Sequence, residues 1–247
     1  MSSDTAAFAL DPMSDLALHA AAFAQRGRVQ VPTALSGDGA LRMHRHLAQE
    51  LDWTLIFNRG DELCELDNAA RASLDVRQAA DLMRAAQTSA RRGFQYLFEQ
   101  ARVPATRAGR AATPGLLTRF AEFLNDVPFL EFARRVTGRP EITFADAQAT
   151  CYREGHFLTT HDDLVEGKNR VAAYVFGFTP RWRPEWGGQL QFISDEGGIV
   201  EGWVPRFNVL SLVRVPQPHL VSCVTPLAGA GAARHSVTGW LRTGTPP

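Results

Sequence analysis

Two histidines and one aspartate have side-chain types and a spacing that suit a metal ion. His161 and Asp163 form a His-x-Asp pair at the end of a strand-like segment, and His219 follows well along the chain. Residues two apart on an extended chain point to the same side, so His161 and Asp163 are predicted to face one point while Asp162 faces away. Two imidazoles and a carboxylate can occupy one face of an octahedral Fe(II) and leave the opposite positions open. Zn²⁺ accepts the same ligands, so the triad alone leaves both metals open.

An arginine on the last strand-like run favours iron. Arg234 begins the segment Arg-His-Ser-Val-Thr-Gly-Trp-Leu-Arg, in which alternation puts Arg234, Ser236, Thr238 and Trp240 on one face. An inward guanidinium beside a hydroxyl is a receptor for a carboxylate, which it binds through paired hydrogen bonds. A dicarboxylic co-substrate that chelates the metal at one end and contacts Arg234 at the other accounts for all four residues. 2-Oxoglutarate is such a molecule.

The segments that must position these residues differ in composition and hydrophobic periodicity along the chain. Up to residue 139, apolar residues at helical spacing predict a mainly helical support region, with helices at 16–25, 37–51, 76–101, 114–123 and 129–136 and a loop at 106–113. After Pro140, short runs rich in Val, Ile, Phe, Tyr, Trp and Thr alternate with glycine and proline breaks. These runs predict antiparallel strands at 142–144, 147–152, 170–178, 189–193, 199–204, 209–215, 220–224 and 236–242. The pattern predicts an α+β, mainly β fold: a jelly roll over 140–247, with the helices of 1–139 packed on it as one domain of residues 1–247.

Composition excludes several classes of protein. Lys and Arg total 26 and balance 26 Asp and Glu, so the chain lacks the basic excess of a general nucleic-acid or membrane-surface binder. Its three cysteines are widely spaced, which argues against a disulfide framework and favours a reducing compartment. There is no signal-peptide pattern and no apolar run long enough to span a bilayer. We therefore expect a cytoplasmic protein without nucleic-acid or membrane partners.

Five segments in a fixed order carry a resemblance to a known family. They are Tyr152-Arg-Glu-Gly-His-Phe-Leu-Thr-Thr-His161-Asp-Asp163, Trp186-Gly-Gly-Gln-Leu, Pro205-x-x-Asn208, His219-Leu-Val and Arg234-His-Ser-Val-Thr-Gly-Trp240. In this order they resemble the Fe(II)/2-oxoglutarate oxygenases of the prolyl 4-hydroxylase type. The closest resemblance, over about residues 114–243, is to the catalytic domain of the ribosomal-protein prolyl hydroxylases.

The resemblance implies a double-stranded β-helix with Fe(II) held by His161, Asp163 and His219. It also implies that Arg234 holds the far carboxylate of 2-oxoglutarate, that Tyr152 hydrogen-bonds near this co-substrate, and that O2 is the second co-substrate. Ser236 is a further candidate for co-substrate binding. Ascorbate is a candidate auxiliary cofactor.

One position departs from the family pattern. The subgroup carries a tyrosine on the strand after the His-x-Asp motif, whereas the predicted register puts Phe176 there, with Tyr174 two residues earlier on the same face. Either Tyr174 substitutes for that tyrosine or its hydrogen bond is absent. Tyr174 is therefore a candidate for co-substrate binding.

The prime substrate implied by the resemblance is a prolyl residue in a protein, with a ribosomal protein as a candidate. Residues 179–188, which include Trp182 and Trp186, are predicted to form a mouth for an extended chain. Two alternatives stay open: a hydroxylase of a free amino acid or other small molecule, and a non-catalytic cupin-like module that holds a metal or small acid. The remaining histidines are interpreted as surface or core residues: His19, His44, His46, His156 and His235. The sequence leaves the oligomeric state open.

Overall fold

All strands among the described residues join one antiparallel sheet, which curls into the predicted jelly roll. The computed structural model describes residues 7–12, 15–60, 62–229 and 231–246. The strands are β1 (Arg28–Pro32), β2 (Thr54–Arg59), β3 (Glu62–Leu66), β4 (Tyr96–Arg102), β5 (Phe144–Ala145), β6 (Gln148–Tyr152), β7 (Phe157–His161), β8 (Arg170–Phe178), β9 (Leu190–Ile193), β10 (Ile199–Trp203), β11 (Phe207–Arg214), β12 (His219–Val221) and β13 (Arg234–Arg242). They pair in the order β1-β11-β8-β13-β6-β4-β7-β12-β9-β10, while β2 pairs with β3 and β4, and β5 pairs with β13.

Several of the helices begin or end at residues with clear capping chemistry. They are α1 (Leu16–Arg26), α2 (Gly39–Gln49), α3 (Asn68–Ala72), α4 (Val76–Ala90), α5 (Arg107–Ala112), α6 (Leu116–Phe123) and α7 (Val127–Thr137). Asp75 and Gln78 form a reciprocal capping box at the start of α4. Helix α7 carries Pro128 in its first turn and ends at Gly138, whose φ of 67° is the left-handed conformation that favours glycine. In the described part of the chain, no helix is long and apolar enough to cross a membrane.

Strand β8 separates the helices from the interior of the jelly roll. Its side chains Phe176 and Phe178 pack against Phe120 of α6, with ring centroids 5.2 Å and 5.7 Å away, and Phe129 of α7 lies 6.0 Å from Phe176. All four rings are fully buried, and burial of each such side chain stabilises the fold by roughly 1.5–3 kcal/mol. Because alternate residues of a strand point to opposite faces, the intervening side chains of β8 face the other way, into the curl of the sheet.

The first 139 residues are less helical than the sequence predicts, because they also contribute β1 to β4 to the sheet. The helix predicted over 76–101 ends at Ala90, and residues 96–102 form β4, which pairs with β2, β6 and β7. Pairing in the middle of a sheet overrides the helical spacing of this segment. The loop predicted at 106–113 contains α5, whose first turn is capped by Thr106 through a 3.0 Å hydrogen bond from the Gly109 amide.

Candidate active site

The His-x-Asp pair lies where β7 ends. His161 is the last residue of β7, whereas Asp163 lies beyond the strand with a φ of 65°. Asp163 therefore reaches the site through a left-handed turn rather than by the strand alternation that the sequence suggests. The predicted outward orientation of Asp162 is also wrong: Asp162 borders the same cavity, and its Oδ1 accepts a 2.9 Å hydrogen bond from the Leu164 amide.

Pairing of β12 with β7 brings the second histidine to this point. His219 is opposite His161 in the register of the two strands, and the two imidazole centroids are 4.2 Å apart. Asp163 Oδ1 lies 3.6 Å from His161 Nε2, and Asp163 Oδ2 lies 3.5 Å from His219 Nε2. One ligand atom from each residue falls within 4.8 Å of the others, which is the spacing of a metal centre.

Backbone carbonyls fix the protonation pattern of both imidazoles. His161 Nδ1 lies 3.0 Å from the Thr159 carbonyl oxygen, and His219 Nδ1 lies 2.7 Å from that of Gln217. A carbonyl can only accept, so each Nδ1 carries a proton, and Nε2 is the nitrogen of each ring that faces the carboxylate. Burial, together with the neighbouring His219, lowers the pKa of His161 and keeps its imidazole neutral. Two imidazoles and a carboxylate that leave positions open fit Fe(II).

A buried arginine lies on the wall of the same cavity. Arg234 is only 7% exposed, and its Nη1 atom has no hydrogen-bond partner within the described ranges. Its guanidinium Cζ lies 5.0 Å from the ring centroid of Tyr152, which is opposite Arg234 on β6. Burial lowers the pKa of this guanidinium and raises that of the Tyr152 hydroxyl. A buried guanidinium with an unpaired N–H donor is stabilised by an anion that supplies both a counter-charge and an acceptor. A carboxylate has the geometry to do so.

The cavity that contains these groups has a volume of about 530 Å³, within the range of small-molecule sites. Ser236 lines it, and its hydroxyl lies 2.7 Å from that of Thr150, its neighbour on β6. The mouth is ringed by large apolar side chains that are exposed to solvent: Leu63, Phe94, Leu164 and Val165. An apolar rim around a polar centre is typical of a surface that meets a partner or substrate.

The structure places Tyr174 outside this site. Its hydroxyl donates a 2.6 Å hydrogen bond to the Asp146 carbonyl, and its ring is buried in the core on the helix side of β8, as is that of Phe176. The side chains of β8 that line the cavity are Ala173 and Val175. The prediction that Tyr174 contacts the co-substrate is therefore wrong, because the helices pack on that face of β8.

The predicted mouth at residues 179–188 is also wrong, since no described residue of that segment lines the cavity. Trp182 packs edge-on against Trp186 at 5.4 Å and donates to the Gly187 carbonyl. The mouth is formed instead by Leu63 of β3, by Phe94 just before β4, and by Leu164 and Val165 after β7.

Two further side chains of the cavity, Arg170 and Trp240, are given no role at the metal site by the sequence. Arg170 donates a 3.1 Å hydrogen bond from Nη1 to the Asp163 carbonyl and stacks on Trp240, with 3.5 Å between its Cζ and the ring centroid. Both residues line the cavity. Strand alternation puts Trp240 on the same face as Arg234. The signal of Arg170 is weaker, because the sequence shows only that this residue begins a strand.

Histidines interpreted as surface or core residues lie outside the triad. His19, His156 and His235 are buried, His44 Nδ1 contacts the Phe178 carbonyl, and His46 pairs with Glu50 on α2. None of these residues lines the cavity.

Comparison with solved structures shows the same fold in several oxygenases. A prolyl-4-hydroxylase from Pseudomonas putida is 16% identical, with 93% of this chain and 99% of that chain covered and a TM-score of 0.58. A prolyl hydroxylase from Trichoplax adhaerens, solved with a hypoxia-inducible-factor peptide fragment, is 18% identical with 92% and 89% covered and a TM-score of 0.55. A 2OG-Fe(II) oxygenase family oxidoreductase from Burkholderia pseudomallei is 12% identical with 98% and 99% covered and a TM-score of 0.57.

Comparison at the level of sequence gives the family of one segment. No curated protein sequence matches the chain. The model of the 2OG-Fe(II) oxygenase superfamily matches residues 147–242, a range that contains the triad, Arg234 and the strands that carry them. Residues 147–242 therefore belong to the 2OG-Fe(II) oxygenase superfamily.

Proposed function

We propose that this protein hydroxylates a prolyl residue in a protein substrate, with Fe(II) held by His161, Asp163 and His219 and with 2-oxoglutarate anchored by Arg234. The observation that carries the proposal is one cavity that holds both the triad and an incompletely bonded buried guanidinium. A metal ligand set at one end and an arginine at the other suit a molecule with a chelating 2-oxo acid and a distant carboxylate.

The superfamily uses Fe(II), 2-oxoglutarate and O2. With iron bound, it couples oxidative decarboxylation of 2-oxoglutarate to succinate with oxidation of the prime substrate. The residues of this chain then have distinct tasks. The two Nδ1–H···O=C hydrogen bonds orient the imidazoles, and Arg170 fixes the backbone at Asp163. The buried side chains of Tyr152 and Arg234 form one wall of the cavity, which orients the co-substrate carboxylate.

The first experiment tests the oxygenase site. Purified protein with Fe(II) is expected to convert 2-oxoglutarate to succinate slowly without any prime substrate, and His161→Ala and Asp163→Ala are expected to abolish both iron binding and turnover. His46→Ala is the matched control, because His46 pairs with Glu50 on α2, away from the cavity. Turnover in the His161→Ala variant contradicts the assignment. A lack of turnover in the iron-loaded wild type also contradicts it. The latter result favours a non-catalytic binding module.

Two observations support a prolyl substrate within a polypeptide. The Pseudomonas protein of the same fold is a prolyl-4-hydroxylase, and the Trichoplax prolyl hydroxylase was solved with a peptide bound. In this chain the cavity opens through a rim of exposed apolar side chains, which is suited to contact with an extended segment on either side of a proline. The alternative substrate, a free amino acid or other small molecule, fits the same cavity volume.

The second experiment identifies the substrate. Proteins from cells with wild-type enzyme are compared by mass spectrometry with those from cells that carry Asp163→Ala. The expected difference is one oxygen atom added to a proline residue, with ribosomal proteins inspected first. A small metabolite that gains oxygen while no protein proline does contradicts the proposal and supports the alternative. The cytoplasmic location and the use of ascorbate remain predictions, tested by fractionation and by turnover with and without ascorbate.

A further inference from the structure

A second cavity, of about 550 Å³, lies on the face of β4 opposite the iron site. Successive residues of β4 point to the two sides: Phe98 and Gln100 line the first cavity, whereas Glu99 lines the second. The outer wall of the second cavity is formed by α3, α4 and the segment that joins them. We call it the α4 cavity. The proposed oxygenase reaction does not use it.

The floor of the α4 cavity holds three charged groups with an excess of positive charge. Glu99 is buried, with Arg71 Nη1 2.5 Å from Oε1 and Arg153 Nε 2.9 Å from Oε2. Burial by itself raises the pKa of Glu99, but Arg153 and Arg71 outweigh it and hold that pKa below its usual value. Two guanidiniums and one carboxylate leave one positive charge. Most N–H donors of these guanidiniums have no protein partner in the described part of the chain.

One ring nitrogen of a buried histidine beside these charges has no hydrogen-bond partner in the described part of the chain. His156 is only 5% exposed, lines the α4 cavity, and has an Nδ1 atom with no hydrogen-bond partner among the described residues. Burial lowers the pKa of His156 to about 4, so the imidazole is neutral near pH 7. Buried polar atoms are nearly always hydrogen-bonded, and an exception needs an explanation. The imidazole is therefore an incompletely bonded polar group in the wall of the cavity.

The rest of the lining is apolar and comes from five large side chains: Trp53, Leu55, Leu74, Leu82 and Met83. An apolar wall with a few convergent polar groups is the usual composition of a small-molecule site, and the volume falls in the usual range. The excess positive charge selects an anion, and the planar guanidinium favours a carboxylate.

We propose that the α4 cavity is a second ligand site, which binds a small amphipathic carboxylate with its charged group on Arg71 and Arg153 and its apolar body against the wall that contains Trp53. The body of such a ligand displaces water from the leucine and methionine side chains. The carboxylate uses guanidinium donors that Glu99 leaves free. The site is separated from Arg234 by the sheet, so it is expected to bind its ligand independently of 2-oxoglutarate.

The test uses 3-phenylpropanoate as the probe and 3-phenylpropan-1-ol as its uncharged analogue. Binding to the full-length protein is measured by calorimetry without oxygen, with Fe(II) and saturating 2-oxoglutarate present so that carboxylate binding at Arg234 is suppressed. Arg71→Gln removes a carboxylate donor, whereas Ala79→Phe fills the cavity from α4 without removing a polar contact. Arg77→Gln is the matched control, because this arginine of α4 has a side chain that is 90% exposed and does not line the cavity.

The proposal predicts that the carboxylate binds at least about tenfold more tightly than the alcohol. Arg71→Gln is expected to weaken binding of the carboxylate at least about tenfold, Ala79→Phe to abolish it, and Arg77→Gln to leave it unchanged. No binding of the carboxylate at about 10 mM overturns the proposal, and so does equal binding of the alcohol. Unchanged affinity in the folded Ala79→Phe variant assigns the signal to another site and also overturns it. Circular dichroism checks that each variant is folded.

Discussion

The guanidinium of Arg234 lies over the aromatic ring of Tyr152, with 5.0 Å between Cζ and the ring centroid. The two residues are opposite each other on β13 and β6, and both are buried. The electron-rich face of the ring stabilises the charge without using the N–H donors, and Nη1 keeps no partner in the described part of the chain. Arg234 is therefore positioned by packing and retains a donor for a ligand.

Replacement of Arg234 is expected to weaken 2-oxoglutarate binding while iron still binds. Arg234→Gln removes the buried charge that is proposed to bind the far carboxylate of the co-substrate. The free energy of 2-oxoglutarate binding is expected to weaken by about 3–5 kcal/mol. We expect the KM for 2-oxoglutarate to rise by about two orders of magnitude or more. Steady-state kinetics and iron titration measure the two effects separately. If iron and co-substrate affinity change together, or neither changes, Arg234 does not have this role.

Arg170 is expected to act through the backbone of Asp163. Its Nη1 holds the Asp163 carbonyl at 3.1 Å, so Arg170→Gln is expected to weaken iron binding about 10- to 100-fold. Arg242→Gln is the matched control: Arg242 also lies over an aromatic ring and bonds a backbone carbonyl, but it does not line the cavity. Metal titration of both variants decides the point. Equal iron affinity in the two variants would show that Arg170 does not position the ligand.

The placement of Tyr174 predicts an effect on stability and none on co-substrate affinity. Tyr174→Phe loses the 2.6 Å hydrogen bond to the Asp146 carbonyl, which is worth about 1 kcal/mol. The melting temperature is expected to fall by about 2–4 °C, with the KM for 2-oxoglutarate unchanged. A large rise in that KM at wild-type stability would place the hydroxyl at the co-substrate after all.

The apolar rim predicts a selective effect on a polypeptide substrate. Leu63→Glu puts a charge at the mouth of the cavity, and we expect the KM for a proline-containing peptide to rise about 5- to 10-fold, the equivalent of about 1 kcal/mol. Leu18→Glu makes the same change at an exposed leucine of α1, away from the cavity. Kinetics with the peptide identified by mass spectrometry compare the two variants. Identical KM values would remove Leu63 from the substrate surface.

Two buried histidines predict loss of stability in mild acid. Burial lowers the pKa of His156 and of His235 to about 4 in the folded protein. The unfolded chain takes up these protons near pH 6.5 and the folded chain does not, so the free energy of unfolding falls as the pH falls from about 6.5 to 4. The loss between pH 7.5 and pH 5 is expected to be about 2 kcal/mol for each histidine.

Urea unfolding of the wild type and of His235→Phe at the two pH values measures this effect. The variant is expected to lose about 2 kcal/mol less than the wild type, because one of the two histidines no longer titrates. An identical pH dependence in both proteins would mean that His235 does not contribute to acid sensitivity.

Elements with strong local signals were predictable from the amino-acid sequence alone. The strand predicted over 170–178 is β8, with the same bounds, because its ends are marked by polar and proline residues. Helix α7 ends at Gly138, as its glycine and proline signals predict. The triad was also predictable, because few side-chain types suit iron, and the structure brings ligand atoms of His161, Asp163 and His219 within 4.8 Å of one another.

Which faces of these elements meet depends on packing between segments that are far apart in the chain. Both faces of β8 are apolar, so alternation could not tell whether Tyr174 or Val175 points to the cavity; the helices that cover one face settle this choice. Residues 96–102 have a spacing compatible with a helix, and pairing with three strands makes them β4. Contacts between segments far apart in the chain leave little trace in local periodicity. For that reason the apolar rim, the contact of Arg170 with Asp163 and the α4 cavity could not be predicted from local sequence patterns.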